Sequence, residues 1–156
     1  MEPSEYHEED LFAALSRSGA RILLIGRRAL VALGLPVLTA DIDFWIHMDD
    51  IELFNQALEP LDLHPNKTPD QARSTGRYVL ENDIHVDVLV ARSVPTVDGI
   101  QVEFESVWAR RQDMSYNDSI MISIPAIDDL ILTKRWSQRD RDIADIRLLE
   151  TIRTKP

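Results

Sequence analysis

Three aspartates interrupt runs of residues that otherwise favour a strand. Asp41 and Asp43 alternate with Ile42 and Phe44, and Asp87 sits inside His85-Val86-Asp87-Val88-Leu89. Aspartate is a poor strand former, so in such a place it either faces water or binds something. If the two strands are neighbours, Asp87 approaches Asp41 and Asp43 from one face, and three unneutralised carboxylates repel one another and raise their pKa values. A divalent cation resolves that repulsion. Oxygen donors suit a hard ion such as Mg²⁺ or Mn²⁺, which keeps several waters and binds substrate phosphates. Two such ions about 3.5–4 Å apart lower the pKa of an attacking hydroxyl and stabilise a departing pyrophosphate, the chemistry of phosphoryl or nucleotidyl transfer. The plain alternative is the wet face of a sheet, and a short Asp-x-Asp motif does not by itself choose between the two.

The flanking pattern says which elements must position these groups. Period-two alternation over Ala40–His47 sets Ile42, Phe44 and Ile46 on one face and Asp41, Asp43, Trp45 and His47 on the other, a half-buried strand. Ile84, Val86, Val88 and Val90 share one face of a second strand, opposite His85, Asp87 and Leu89, and this strand forms a hairpin with Arg77–Glu81 around Asn82-Asp83. Upstream, Arg21–Ile25 is a short apolar run typical of a strand buried on both faces. It leads through Gly26 into a short helix over Arg27–Leu33, an arrangement in which backbone N–H groups can meet phosphate. Glu8–Arg17 predicts a first helix, and Asp50 caps another that runs to about Leu58. Leu63–Ser74, with Pro65, Pro69 and Asp70, reads as an exposed loop and the most mobile part. Further strands are predicted over Gly99–Phe104 and Ile120–Ile124, a helical turn over Val107–Arg111, and two closing helices over Ala126–Trp136 and Arg139–Ile152. The expected class is α+β with a small mixed sheet flanked by helices.

Composition narrows the partners. The 156 residues suit one domain, 1–156, and carry a net charge of −10, which argues against stable binding to nucleic acid or anionic membrane. Without cysteine there is no disulfide framework, thiolate nucleophile or zinc-thiolate site. The stretch Met1–Glu9 lacks the basic and apolar regions of a secretory signal, and Ala29–Ala40 is broken by Gly34, Pro36 and Thr39 before it reaches membrane-spanning length. A cytoplasmic location is expected.

The order of strand, Gly26, short helix, Gly34, Thr39, Asp41-x-Asp43 and a later Asp87 among apolar residues resembles the minimal nucleotidyltransferases of the polymerase-β-like superfamily. The likeness extends to Ile124–Lys134 and Arg139–Ile146, which look like the family's closing pair of helices, so it runs from about Arg21 to Leu149. It implies a nucleotidyltransferase fold and transfer of a nucleoside monophosphate from a nucleoside triphosphate such as ATP to a hydroxyl on a protein, a tRNA end or a small molecule. Some relatives are toxins of toxin–antitoxin pairs, which adds a possible protein partner. By the same likeness Asp41, Asp43 and Asp87 hold Mg²⁺ or Mn²⁺, and Asp87 assists deprotonation of the acceptor. Gly26, Arg27 and Arg28 cradle the β- and γ-phosphates, Thr39 orients that turn, and Lys134 points at the phosphates.

Two departures from the family pattern open a second reading. Arg27 stands where relatives have a small residue, and Val37 where many have an arginine. Either phosphate contacts have moved to Arg27 or Arg28, or the domain is catalytically silent and binds a nucleotide or a protein. Blander roles are expected for the remaining polar groups. Arg139, Arg141, Asp142 and Asp145 suggest a solvated ion-pair network, Arg110-Arg111 a charged face, His47 and His85 supporting or exposed positions, and Trp45 either a base-stacking platform or a buried ring. Dehalogenase-type phosphatases and sugar-nucleotide glycosyltransferases, which also use Asp-x-Asp, fit the length and element order less well.

Overall fold

The computed structural model describes residues 8–153, so the sequence start lies, through residue 7, outside the described residues. α1 (Glu8–Ser16) opens with three acidic residues at the positive end of its dipole and buries Leu11, Phe12 and Leu15. β1 (Ile22–Ile25) runs directly into α2 (Gly26–Ala32), and β2 (Ile42–Ile46) carries Asp43. A single 3₁₀ turn then precedes α3 (Ile51–Leu58), which turns Ile51, Phe54 and Leu58 inward. The chain continues through β3 (His64–Pro65), α4 (Pro69–Thr75), β4 (Arg77–Glu81), β5 (His85–Leu89), β6 (Ser93–Pro95) and β7 (Gln101–Glu103). It closes with α5 (Phe104–Arg110), β8 (Gln112–Asn117), β9 (Ile120–Ile124), α6 (Ile127–Lys134) and α7 (Asp140–Arg153).

Five strands form the central sheet in the order β1-β2-β5-β4-β3. β2 and β5 are parallel and the other pairs antiparallel, which gives the mixed sheet of an α+β fold. Two separate hairpins, β6–β7 and β8–β9, flank it. On one face Leu24, Ile42, Phe44, Ile46, Val86 and Val88 pack against α1 and α3, while the other face holds a smaller cluster of Leu23, Ile25, Trp45, Val102, Phe104 and Val107. The strand read as half-buried is therefore covered at Trp45 on its second face as well, while Asp43 on that face is only partly buried. Trp45 is fully buried, edge-on to Phe104 and Trp136, with its Nε1 donating to the Ala91 carbonyl at 2.8 Å. That satisfied N–H and the aromatic packing assign the ring to the core and not to a base-stacking surface.

The segment read as a loop is also corrected, since it contains β3 and α4. Thr68 Oγ1 accepts from the Gln71 N–H at 3.2 Å and Gln71 Oε1 accepts from the Thr68 N–H at 2.9 Å, a reciprocal cap with Pro69 in the first helical position. Gly76, at φ 82°, ends the helix. The helical turn expected at Val107 begins earlier, at Phe104, and β6 and β8 are strands that the sequence pattern does not predict.

Candidate active site

Parallel pairing brings the carboxylates together. Asp43 is the register partner of Asp87, as Ile25 is of Asp43 and Val79 is of Asp87, so Ile25, Asp43, Asp87 and Val79 form one row across one face of the sheet. Asp41, exposed and one residue ahead of β2, lines the same cleft, whose volume is about 810 Å³. Burial pushes the Asp43 carboxyl up from 3.8 to about 6; the charges of Asp87 and Asp41 add to the rise, and Lys134 and Arg141 oppose it. Among the described residues no three such side chains are gathered into a ready ligand group, so the aspartates share a cleft and not a coordination centre. Their chemistry nevertheless suits a hard cation: the donors are all carboxylate oxygens, and the crowding that raises Asp43 is what a divalent ion relieves.

Gly26 sits against this row at φ 70°, and a Cβ built there would stand 2.6 Å from Asp43 Oδ2. The left-handed backbone and the close carboxylate each require glycine. The arginines that follow are directed elsewhere, and neither lines the cleft. Arg27 forks onto Asp145 at 3.2 and 3.1 Å, with its Nη1 donating to the Leu38 carbonyl at 3.4 Å. Arg28 pairs with Glu8 and donates to the Thr39 carbonyl at 3.4 Å. Thr39, also outside the lining, accepts from the Asp41 N–H at 3.0 Å and so fixes the approach to β2 instead of the Gly26 turn.

Lys134 does line the cleft, and its buried Nζ donates to Asp145 at 2.8 Å. Asp145 has no exposed surface and joins Lys134 to Arg27. The solvated network expected on the last helix is thus corrected: Asp142 and Asp145 are buried because α7 packs this face toward α6 and the cleft, where each carboxylate finds cations. Burial alone would raise the Asp142 carboxyl, but hydrogen bonds from Arg139 and Ser137 outweigh it and hold it below the ordinary value. The expected charged face at Arg110 is likewise partly inward, its guanidinium forking onto buried Asp129 at 2.9 Å.

On the far side of Asp87, Asn66, Lys67, Arg77 and His85 complete the lining. His85 Nε2 lies 3.2 Å from Asp87 Oδ1 and its Nδ1 3.4 Å from Glu81, contacts that steady the aspartate from the side. His47 is remote from the cleft, its Nδ1 accepting from the Asp49 N–H and its Nε2 meeting Glu105 at 2.7 Å.

No family model and no curated protein matches the chain. Solved structures do. The lincosamide antibiotic adenylyltransferase LnuA, solved with lincomycin bound, superposes with a TM-score of 0.62 at 17% identity, over 94% of this chain and 98% of that one. ANT(2'')-Ia in complex with adenylyl-2''-tobramycin gives 0.63 at 14% identity, over 92% and 86%. A provisionally assigned nucleotidyltransferase of Thermotoga maritima gives 0.58 at 12% identity, over 93% and 87%. With its mixed sheet, flanking helices and paired closing helices, the chain has the fold of the nucleotidyltransferases.

Proposed function

We propose that this protein transfers a nucleoside monophosphate, with ATP as the first donor to test, to a hydroxyl group of a small molecule. The observation that carries the proposal is the side-by-side placement of Asp43 and Asp87 on parallel strands, against Gly26, at the floor of a cleft bordered by Lys134, Arg139 and Arg141. LnuA, a lincosamide antibiotic adenylyltransferase, and ANT(2'')-Ia, solved with adenylyl-2''-tobramycin, support the same class of reaction. A Mg²⁺ or Mn²⁺ ion held by Asp43 and Asp87, with Asp41 as a further donor, would neutralise phosphate charge and lower the pKa of the attacking hydroxyl.

The protein's own groups divide the remaining work. Asp87, steadied by His85, takes the proton of the acceptor hydroxyl. The freed oxygen bonds to the α-phosphorus as the bond to the β-phosphate oxygen breaks, and pyrophosphate leaves with that electron pair. Lys134 and Arg141, whose charges oppose the rise at Asp43, meet the charge on the departing phosphates. Gly26 leaves room beside Asp43. Arg27 acts from behind, through Asp145, to hold Lys134 in place, Arg28 braces the Thr39 carbonyl, and Thr39 sets Asp41.

Magnesium-dependent titration calorimetry with ATP, CTP, GTP and UTP tests the proposal. Binding of at least one nucleotide with metal present, lost in Asp43→Ala, is expected. Binding of none would favour the catalytically silent module. The same proposal includes a cytoplasmic location, and among the described residues no helix is long and apolar enough to cross a membrane. A protein partner such as an antitoxin is a separate matter, and pull-down from cells would reveal one.

A further inference from the structure

The floor of the cleft is acidic, but its outer wall is not. Register sets Arg77 opposite Leu89 and Val79 opposite Asp87, so Arg77 projects from the same sheet face as the catalytic row, one strand beyond Asp87. Lys67 adds a second cation from the segment between β3 and α4, its Nζ donating to Thr75 Oγ1 at 2.9 Å and to the Arg77 carbonyl at 3.0 Å. Arg77 is exposed, and among the described residues no carboxylate pairs with its guanidinium. Glu81, on the same face, is engaged with His85. In a chain of net charge −10, a lysine and an unpaired arginine side by side at the mouth of a cleft run against the general trend.

This wall is separate from the phosphate pole. In the strand order β1-β2-β5-β4-β3, Gly26 leaves the end of β1 while Arg77 is on β4, three strand spacings or about 14 Å away, with Asp43 and Asp87 between them. Lys134 is tied through Asp145 to Arg27, on the Gly26 side. A triphosphate whose α-phosphorus lies at the aspartates and whose tail runs toward Gly26 leaves Lys67 and Arg77 beside the acceptor, next to the base Asp87.

We infer that Lys67 and Arg77 form the acceptor-binding wall and that the acceptor is a small hydroxyl compound carrying a carboxylate or a phosphate. The inference rests on the nucleotidyl-transfer reading. A guanidinium fork and an adjacent ammonium match either anion with charge-assisted hydrogen bonds, the arginine in a bidentate geometry. A polyamine such as tobramycin would meet like charge here, which sets this chain apart in acceptor chemistry from the adenylyl-tobramycin complex that shares its fold.

The test uses the full chain saturated with Mg²⁺ and α,β-methylene-ATP, titrated with glucose 6-phosphate, gluconate, glucose and tobramycin. Glucose 6-phosphate or gluconate should bind at least tenfold more tightly than glucose or tobramycin, and the stronger of the two tells phosphate from carboxylate. Arg77→Glu should weaken that anion at least tenfold and Arg77→Gln to a lesser degree, with nucleotide affinity held within twofold in both. Equal or tighter binding of glucose or tobramycin, binding of neither anion, or a parallel loss of nucleotide affinity in Arg77→Glu would each overturn the inference. Failure of the nucleotide itself to bind the wild-type chain overturns the transfer reading, and this separate first titration distinguishes the two failures.

Discussion

Asp43 is held where its surroundings oppose its own charge. Its folded pKa of about 6 stands above the ordinary 3.8, so between those values the native state holds a proton that the unfolded chain has released, and stability falls as pH rises through that window. Asp43→Asn removes the penalty. Without metal it should raise stability at pH 8 by about 1–2 kcal/mol, a figure discounted for the partial exposure of the group, and leave stability at pH 4 nearly unchanged, as read by denaturant melts. Nucleotide binding and transfer should be lost in the same variant. Gly26 makes a second residue-scale demand. Gly26→Ala forces a Cβ into the space of the Asp43 carboxylate while keeping φ 70°, and should cost about 1–2 kcal/mol in stability and reduce turnover at least tenfold. Wild-type turnover in that variant would mean that the contact between Gly26 and Asp43 has no part in the site.

At the scale of elements, α6 and α7 deliver Lys134 to the cleft through a carboxylate that has no exposure to water. Asp145→Asn leaves two inward cations without a counter-charge and should destabilise the fold by about 3–5 kcal/mol in a thermal or chemical melt, opposite in sign to the effect of Asp43→Asn. A loss under 1 kcal/mol would show that the pairing is incidental. Which parts of this arrangement were legible in the sequence follows from the range of the interactions involved. Val86 and Val88 alternate with Asp87, and Ile42 and Phe44 with Asp43, so the strands and their faces declare themselves within a few residues. The pairing of Arg27 with Asp145 spans 118 residues, and no local pattern separates that aspartate from the surface acids around it. Trp45 shares a face with Asp43, and only the arrival of Phe104 from a distant helix shows that half of this face is core. β8 offers almost no apolar alternation, since most of its side chains are polar, and hairpin pairing with β9 defines it. α4 was legible in principle: Thr68-Pro69-Asp70-Gln71 is a capping signature, hidden by the turn chemistry of Pro65-Asn66 before it and of Pro69-Asp70 within it.

For the whole molecule, the surplus of acid has two meanings. Most of it lies on the surface and repels polyanions, while Asp41, Asp43 and Asp87 converge on one cleft and the cations Lys67, Arg77, Lys134, Arg139 and Arg141 surround them. A fold shared at under 20% identity with LnuA and ANT(2'')-Ia leaves the nucleotide and the acceptor to be decided by these few side chains. On the proposed reading this cleft moves the α-phosphoryl group of a nucleotide. It is tested most directly by incubating the protein and Mg²⁺ with a small-molecule extract of the host cell and ATP labelled on either the α- or the γ-phosphorus. Nucleotidyl transfer puts the α-label in a new compound and the γ-label in pyrophosphate, with both signals lost in Asp87→Asn. Release of γ-label as orthophosphate, or an equal product yield from Asp87→Asn, would contradict it.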